Sequence, residues 1–112
     1  MKIALCQINP TVGNFNAIRE SITRYYKKAI DQGAGLVVFP EMVTTGYPPQ
    51  DLLWENGFIN KNSNLVESIA KNSSVPIIFG FVRSADNKLF NSAALCSKGI
   101  HHGTYDKILL PT

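Results

Sequence analysis

Leu36-Val37-Val38-Phe39, closed by Pro40 and followed at once by Glu41, is an unbroken apolar run with adjacent β-branched residues. A strand with one wet face alternates apolar and polar residues, so a continuous run of this length suits a strand covered on both faces. Working outward, a similar run precedes it, Ile3-Ala4-Leu5-Cys6-Gln7-Ile8, ended by Asn9-Pro10. A third follows, with Pro76 opening Ile77-Ile78-Phe79-Gly80-Phe81-Val82. Between the first two, Phe15, Ile18, Ile22, Tyr25, Tyr26, Ala29 and Ile30 recur at three- and four-residue steps. Arg19, Glu20, Arg24, Lys27 and Lys28 fill the gaps, which is the pattern of one amphipathic helix. Asn14 is its candidate N-cap, and Gly33 or Gly35 its stop.

Between the second and third runs an irregular segment, Thr44-Thr45-Gly46-Tyr47-Pro48-Pro49-Gln50, gives way to helical spacing at Phe58, Ile59, Asn62, Leu65, Val66, Ile69 and Ala70. Strand, helix, strand, helix, strand is the pattern of a parallel sheet with right-handed crossovers. After Val82 the connections shorten: Ser84–Lys88 and Ser97-Lys98-Gly99 read as hairpin turns around Leu89–Cys96 and Ile100–Lys107. The fold class is therefore α/β, a mixed sheet with a parallel β-α-β-α-β start followed by an antiparallel meander. Two helices cover one face of such a sheet, yet the strands are apolar on both. Residues 1–112 thus read as the N-terminal part of a domain whose remainder lies beyond Ile108-Leu109-Leu110-Pro111-Thr112.

The composition narrows the partners. Of 112 residues, 45% are hydrophobic, too many for a chain whose main state is disordered. No apolar run approaches the roughly 18 residues of a membrane helix. The opening residues turn polar too soon for a signal peptide, so a cytoplasmic location is expected, with no membrane partner. The net charge of +3 is spread over scattered lysines and arginines, which is a solubility feature and argues against a nucleic-acid partner. Cys6 and Cys96 lie in apolar segments without metal-ligand spacing and read as reduced, enclosed thiols.

Two residues are placed for chemistry. Glu41 follows a predicted parallel strand at its carboxyl end, where open α/β sheets bind ligands. Desolvation beside the apolar run would raise its pKa toward general-base duty; the alternative is an exposed loop acid, or one that accepts from the Thr44 or Thr45 amides. Lys107 ends the last predicted strand and would stabilise an oxyanion or a thiolate; the alternative is a surface lysine paired with Asp106. His101 and His102 are adjacent in a strand, point to opposite faces and cannot chelate one metal together, so no metal site is expected.

Four segments together carry a resemblance: Lys2-Ile3-Ala4-Leu5-Cys6-Gln7, Leu36–Glu41, Phe90-Asn91-Ser92-Ala93-Ala94 and Asp106–Pro111. In order and spacing they are similar to the nitrilase, or carbon–nitrogen hydrolase, superfamily. Thr45-Gly46-Tyr47-Pro48-Pro49-Gln50-Asp51-Leu52-Leu53 narrows the resemblance to the glutaminase domain of glutamine-dependent NAD synthetases, as does the Lys-x-x-Leu-Pro-Thr ending. The resemblance implies an αββα sandwich and a Glu–Lys–Cys triad that releases ammonia from glutamine. It makes Glu41 the general base, Lys107 the oxyanion-stabilising cation and Tyr47 a lining residue of the glutamine pocket, with Asn91 structural. The cysteine nucleophile, a pocket tyrosine and the ATP-dependent synthetase domain would all lie past Thr112. Residues 1–112 alone are therefore expected to be inactive and to bind no cofactor, with ATP and Mg²⁺ belonging to the synthetase domain. Their expected partners are the remainder of the protein or further copies in a homo-oligomer. Another nitrilase-type amidase, or a non-catalytic association module, is the alternative.

Overall fold

The structure, a computed structural model, describes residues 1–47 and 50–108. Pro48 and Pro49 of the proline-rich loop, and the Leu109-Leu110-Pro111-Thr112 ending, lie outside the described residues. The elements are β1 (Ile3–Leu5), α1 (Phe15–Asp31), β2 (Leu36–Val38), α2 (Gln50–Leu53), α3 (Asn56–Lys71), β3 (Ile77–Ala85), β4 (Lys88–Ser97) and β5 (Ile100–Ile108). They build one five-stranded sheet in the order β1-β2-β3-β4-β5, parallel from β1 to β3 and antiparallel from β3 to β5. The mixed α/β architecture expected from the apolar runs is the one observed.

Local chemistry sets the ends of these elements. The Asn14 side chain accepts from the Ala17 amide at 3.2 Å, satisfying one free donor of the first turn of α1. Gly33, at φ +88°, ends the helix, whereas Gly35 serves a different purpose: its amide donates to the Lys2 carbonyl at 2.8 Å. Asp86 and Asn87, both at positive φ, make the β3–β4 hairpin turn, and Lys98 and Gly99 make the β4–β5 turn. The four-residue α2 starts at the last residue of the irregular segment and precedes the helical spacing that begins at Phe58; one turn of helix is too short to establish a period.

Successive strands are added in one direction, so crossovers of one hand put α1 and α3 on the same side. Ile18 and Ile22 of α1 and Leu65 and Val66 of α3 pack there against Val37, Phe39, Ile77, Phe79, Ala94 and Cys96. Away from the β3–β4 hairpin end, no described helix lies on the opposite face. Ile3 is 54% exposed on that face, Leu5 71%, Leu95 41% and Tyr105 77%, so among the described residues it is uncovered. A second, smaller cluster of Met42, Leu53, Phe58, Val82 and Leu89 closes one end of the sheet. No described helix is long and apolar enough to cross a membrane.

Candidate active site

Just past the end of β2, the Phe39 amide donates to the Ile78 carbonyl at 2.8 Å, and the chain then turns away from the sheet at Pro40. The turn sits hard against β3. The Gly80 amide donates to the Pro40 carbonyl at 3.1 Å, and the Gly80 carbonyl accepts from the Thr44 amide at 3.4 Å. A Cβ on Gly80 would lie 2.4 Å from the Met42 nitrogen and 2.5 Å from the Glu41 Cα, so only glycine admits this approach. Met42 takes the left-handed conformation, φ +50°, and redirects the chain. Its carbonyl then accepts from the Thr45 and Gly46 amides at 3.1 and 2.7 Å. The Thr45 carbonyl accepts from the Gly13 amide at 3.1 Å, tying the arc to the turn before α1. Residues 41–47 are thus an arc held by backbone bonds from two directions.

The two ends of the arc meet. The Tyr47 hydroxyl donates to Glu41 Oε2 at 2.5 Å, while the Asn91 amide on β4 donates to Glu41 Oε1 at 3.1 Å. Each carboxylate oxygen therefore has one neutral donor. These two bonds, in that order of effect, hold the Glu41 pKa below the usual glutamate value, and the charge of Lys107 adds to them. The upward shift expected from desolvation is reversed because the carboxylate is exposed and burial is the weaker influence. Tyr47 responds in the opposite sense, its pKa raised by the same bond to Glu41. The Thr44 and Thr45 amides go to Gly80 and Met42, so Glu41 does not cap them. Asn91, read from the sequence as structural, touches the carboxylate. Tyr47, read as lining a pocket, does so too, and is otherwise exposed.

Lys107 reaches the same face through register. It pairs across the ladder with Asn91, and directly paired residues share a face. The pairing depends on a bulge. Cys96 pairs with His101 but Leu95 pairs with Gly103, so His102 is an extra residue in β5. Were His102 paired in the ladder instead of bulged out, the period-two rule would bring Asp106 opposite Asn91 and send Lys107 to the helix side. Instead Asp106 faces Ser92 on that side. It accepts from Arg83 Nε at 2.9 Å, from Arg83 Nη2 at 2.7 Å and from the Ser92 hydroxyl at 2.5 Å. The alternative of a Lys107–Asp106 surface pair is thereby replaced by an Arg83–Asp106 bridge.

Glu41, Asn91 and Lys107 line one cavity of about 170 Å³, floored by Ile78, Gly80 and Ala93 and flanked by Tyr105. A larger groove of about 440 Å³ runs between α1 and α3 across the sheet. It is lined chiefly by apolar side chains, its charged residues are Arg19 and Lys27, and it has no acid–base pair. The carboxylate and the ammonium that could act together therefore line the smaller cavity. Neither cysteine is near it: Cys96 is buried on the helix side, and Cys6 is half-buried against the same core. Burial pushes both thiols up, away from thiolate character. His101 contacts Thr104 at 2.8 Å and His102 contacts the Ser97 hydroxyl at 2.8 Å, so the pair diverges as adjacent strand residues should. Among the described residues no group of three or more His, Cys, Asp or Glu side chains converges on a metal position.

Residues 2–112 match the family described as carbon–nitrogen hydrolase. The chain belongs to that family. It is 35% identical over 114 residues to the glutamine-dependent NAD(+) synthetase of Thermotoga maritima, covering 99% of this chain and 20% of that protein. The solved structure of glutamine-dependent NAD+ synthetase from Acinetobacter baumannii, in complex with ADP, superposes with a TM-score of 0.87 at 29% identity, covering 97% of this chain and 21% of that one. An amidase from Nesterenkonia sp. superposes with a TM-score of 0.83 at 21% identity, covering 100% of this chain and 44% of that one. That last likeness speaks for the fold alone. This carbon–nitrogen hydrolase chain spans 17–21% of the length of the synthetases it matches in sequence.

Proposed function

We propose that residues 1–112 supply the general base and the oxyanion-stabilising cation of a glutaminase site, as the N-terminal part of a glutamine-dependent NAD synthetase. The observation that carries this reading is the Glu41 carboxylate, held ionised by Tyr47 and Asn91 with Lys107 on the same face. An ionised carboxylate held by neutral donors keeps lone pairs for an incoming proton, which is what a general base needs.

The thiol that completes the site comes from outside the described residues, because Cys6 and Cys96 are turned to the helix side. Glu41 takes the thiol proton as the sulfur attacks the side-chain amide carbon of glutamine. The Lys107 ammonium stabilises the negative oxygen of the tetrahedral adduct. The carbon–nitrogen bond then breaks, the proton held by Glu41 passes to the leaving nitrogen, and ammonia departs from a thioester. Water attacks the thioester, again giving its proton to Glu41, and glutamate and the free thiol result. Tyr47 lines the pocket and orients the base.

The uncovered face of the sheet, with Leu5 exposed on it and Tyr105 exposed beside the cavity, supports a cover supplied by the rest of the protein or by a second copy. ATP and Mg²⁺ belong with a synthetase domain outside these residues, where the ammonia would amidate deamido-NAD. The synthetase relatives, at 35% identity, favour glutamine over a simple amide as substrate.

The test is ammonia release from glutamine by the protein as its gene encodes it. Glu41→Gln and Lys107→Met should each lower kcat by about 10²–10⁴-fold, the range for loss of one acid–base or oxyanion group. Activity within a few fold of wild type in Glu41→Gln would end the reading. Residues 1–112 alone should release no ammonia, and release that Glu41→Ala abolishes would refute that part.

A further inference from the structure

Helix α3 presents Phe58, Asn62, Leu65 and Val66 to the interior, and one of the four is polar. Asn62 is 0% exposed, at a position where helical periodicity calls for an apolar side chain. Burying an amide is unfavourable unless its bonds are made, so the positions of those bonds carry information. Its Nδ2 donates to the Val82 carbonyl at 2.6 Å and its Oδ1 accepts from the Val82 amide at 3.5 Å, pinning α3 to β3. The same Oδ1 accepts from the Thr44 hydroxyl at 2.7 Å. Thr44 is itself fully buried and stands at the middle of the arc that begins at Glu41 and ends at Tyr47. The arc thus has three anchors: Gly80 beneath it, Gly13 beside it and the Asn62 amide at its centre.

We infer that Asn62 and Thr44 are positioning residues of the site, a buried hydrogen-bonded strut between α3 and the arc that holds Glu41 and Tyr47 in register with Asn91. The inference rests on the reading of Glu41 as the base. The strut orients residues on both sides of the Glu41–Tyr47 bond, so a small shift of Thr44 displaces both partners. Packing alone does not require an amide here: the neighbours Phe58, Leu65 and Val66 are apolar, and an apolar side chain of the same branching would match them. The amide adds a fixed direction, because a hydrogen bond weakens steeply with angle whereas an apolar contact does not.

The experiment reads the Glu41 carboxyl directly. In the protein as its gene encodes it, labelled with ¹³C-glutamate, the Glu41 resonance is assigned by its loss in Glu41→Gln and followed through a pH titration. Wild type should titrate below ordinary glutamate. Asn62→Leu and Thr44→Val, which cut the strut from its two ends while keeping the branching of each side chain, should return the midpoint toward the ordinary value. Thr44→Ser, which keeps the hydroxyl, should preserve it. A purely structural role would lower the melting temperature and leave the Glu41 midpoint in the folded protein where it was. That result in Asn62→Leu would overturn the inference. Should Asn62→Leu not fold, an unchanged midpoint in Thr44→Val would overturn it equally. Ammonia release is scored separately. Its absence in wild type counts against the glutaminase reading, while the titration still decides whether the strut positions Glu41.

Discussion

Glu41 and Asp106 are two carboxylates on opposite faces of one sheet, and both have pKa values below their ordinary ones. They reach that state by different means. Asp106 is gripped by the two nitrogens of Arg83 and by Ser92, with the guanidinium itself 4.7 Å from the Phe90 ring. Its charge is matched in a bidentate pair, and its oxygens are occupied. Glu41 is held by a phenol and an amide, with Lys107 acting on it through its charge. The first arrangement locks β3, β4 and β5 together; the second keeps an anion without neutralising it by a direct ion pair. A downward shift alone therefore does not separate a structural acid from a reactive one. What separates them is whether the donors are charged or neutral and whether the group opens on a cavity.

The bulge at His102 decides which residue lies on which face, and adding one further residue to β5 should break the comparison most completely. Insertion of one alanine between Gly103 and Thr104 moves each later β5 residue one step along β4, so Asp106 swings to the Glu41 side opposite Asn91 and Lys107 to the helix side. Cross-strand nuclear Overhauser contacts should then pair Asn91 with Asp106. Two like charges at the cavity should raise the Glu41 pKa, and ammonia release should fall on the order of 10²–10³-fold, as for loss of an oxyanion donor. An unaltered pairing of Asn91 with Lys107 in the insertion variant would mean that β5 absorbs the added residue in a wider bulge, and that the count of residues does not set the register.

Gly80→Ala should act on one side of the comparison only. Its Cβ would press on the Met42 nitrogen and the Glu41 Cα, both backbone, and such overpacking typically costs about 1–3 kcal/mol. The arc must lift, taking Glu41 from Asn91, while the Arg83–Asp106 bridge stays formed. Gly103→Ala is the matching control on β5, since a Cβ there meets nothing within 4 Å. A thermal melt should put Gly80→Ala well below wild type and Gly103→Ala close to it; equal midpoints would contradict the tight approach.

How much of this was legible in the sequence follows from the range of the interactions involved. The apolar runs and the spacing of Phe15 to Ile30 gave the strands and α1 because burial of one face is a local pattern. The hairpins were legible from their polar and glycine-bearing turns. Glu41 stood out by its place after Phe39-Pro40, and Lys107 by its place at the end of a strand and in the resemblance. The bond from Asn91 to Glu41 joins residues 50 apart, and the Thr44–Asn62 strut joins residues 18 apart. Neither has a periodic signature. The direction of the Glu41 pKa was misread for the same reason: the apolar neighbours were visible along the chain, but the two donors were not. Counting residues from the Lys98-Gly99 turn would have paired Asn91 with Asp106, because nothing in His101-His102-Gly103 announces an extra residue.

The smallest effect concerns stability against pH, and it sharpens the contrast between the two carboxylates. Asp106 has a lowered folded pKa, so its contribution is fully present above the ordinary aspartate value of about 3.9 and is lost as pH falls through the folded value. The stability gap between wild type and Asp106→Asn, read from urea midpoints, should be largest near neutral pH and close as the solution is acidified. Glu41→Gln has the same sign of dependence, because the Glu41 pKa is also lowered. Its gap should be the smaller of the two. An amide oxygen still accepts from Tyr47, and Asn91 can rotate its own oxygen toward the new NH₂ group, whereas no rotation lets an asparagine at 106 accept both Arg83 donors. A larger pH-dependent gap in Glu41→Gln than in Asp106→Asn would reverse the assignment, making Glu41 the structural acid and Asp106 the one that stability can spare.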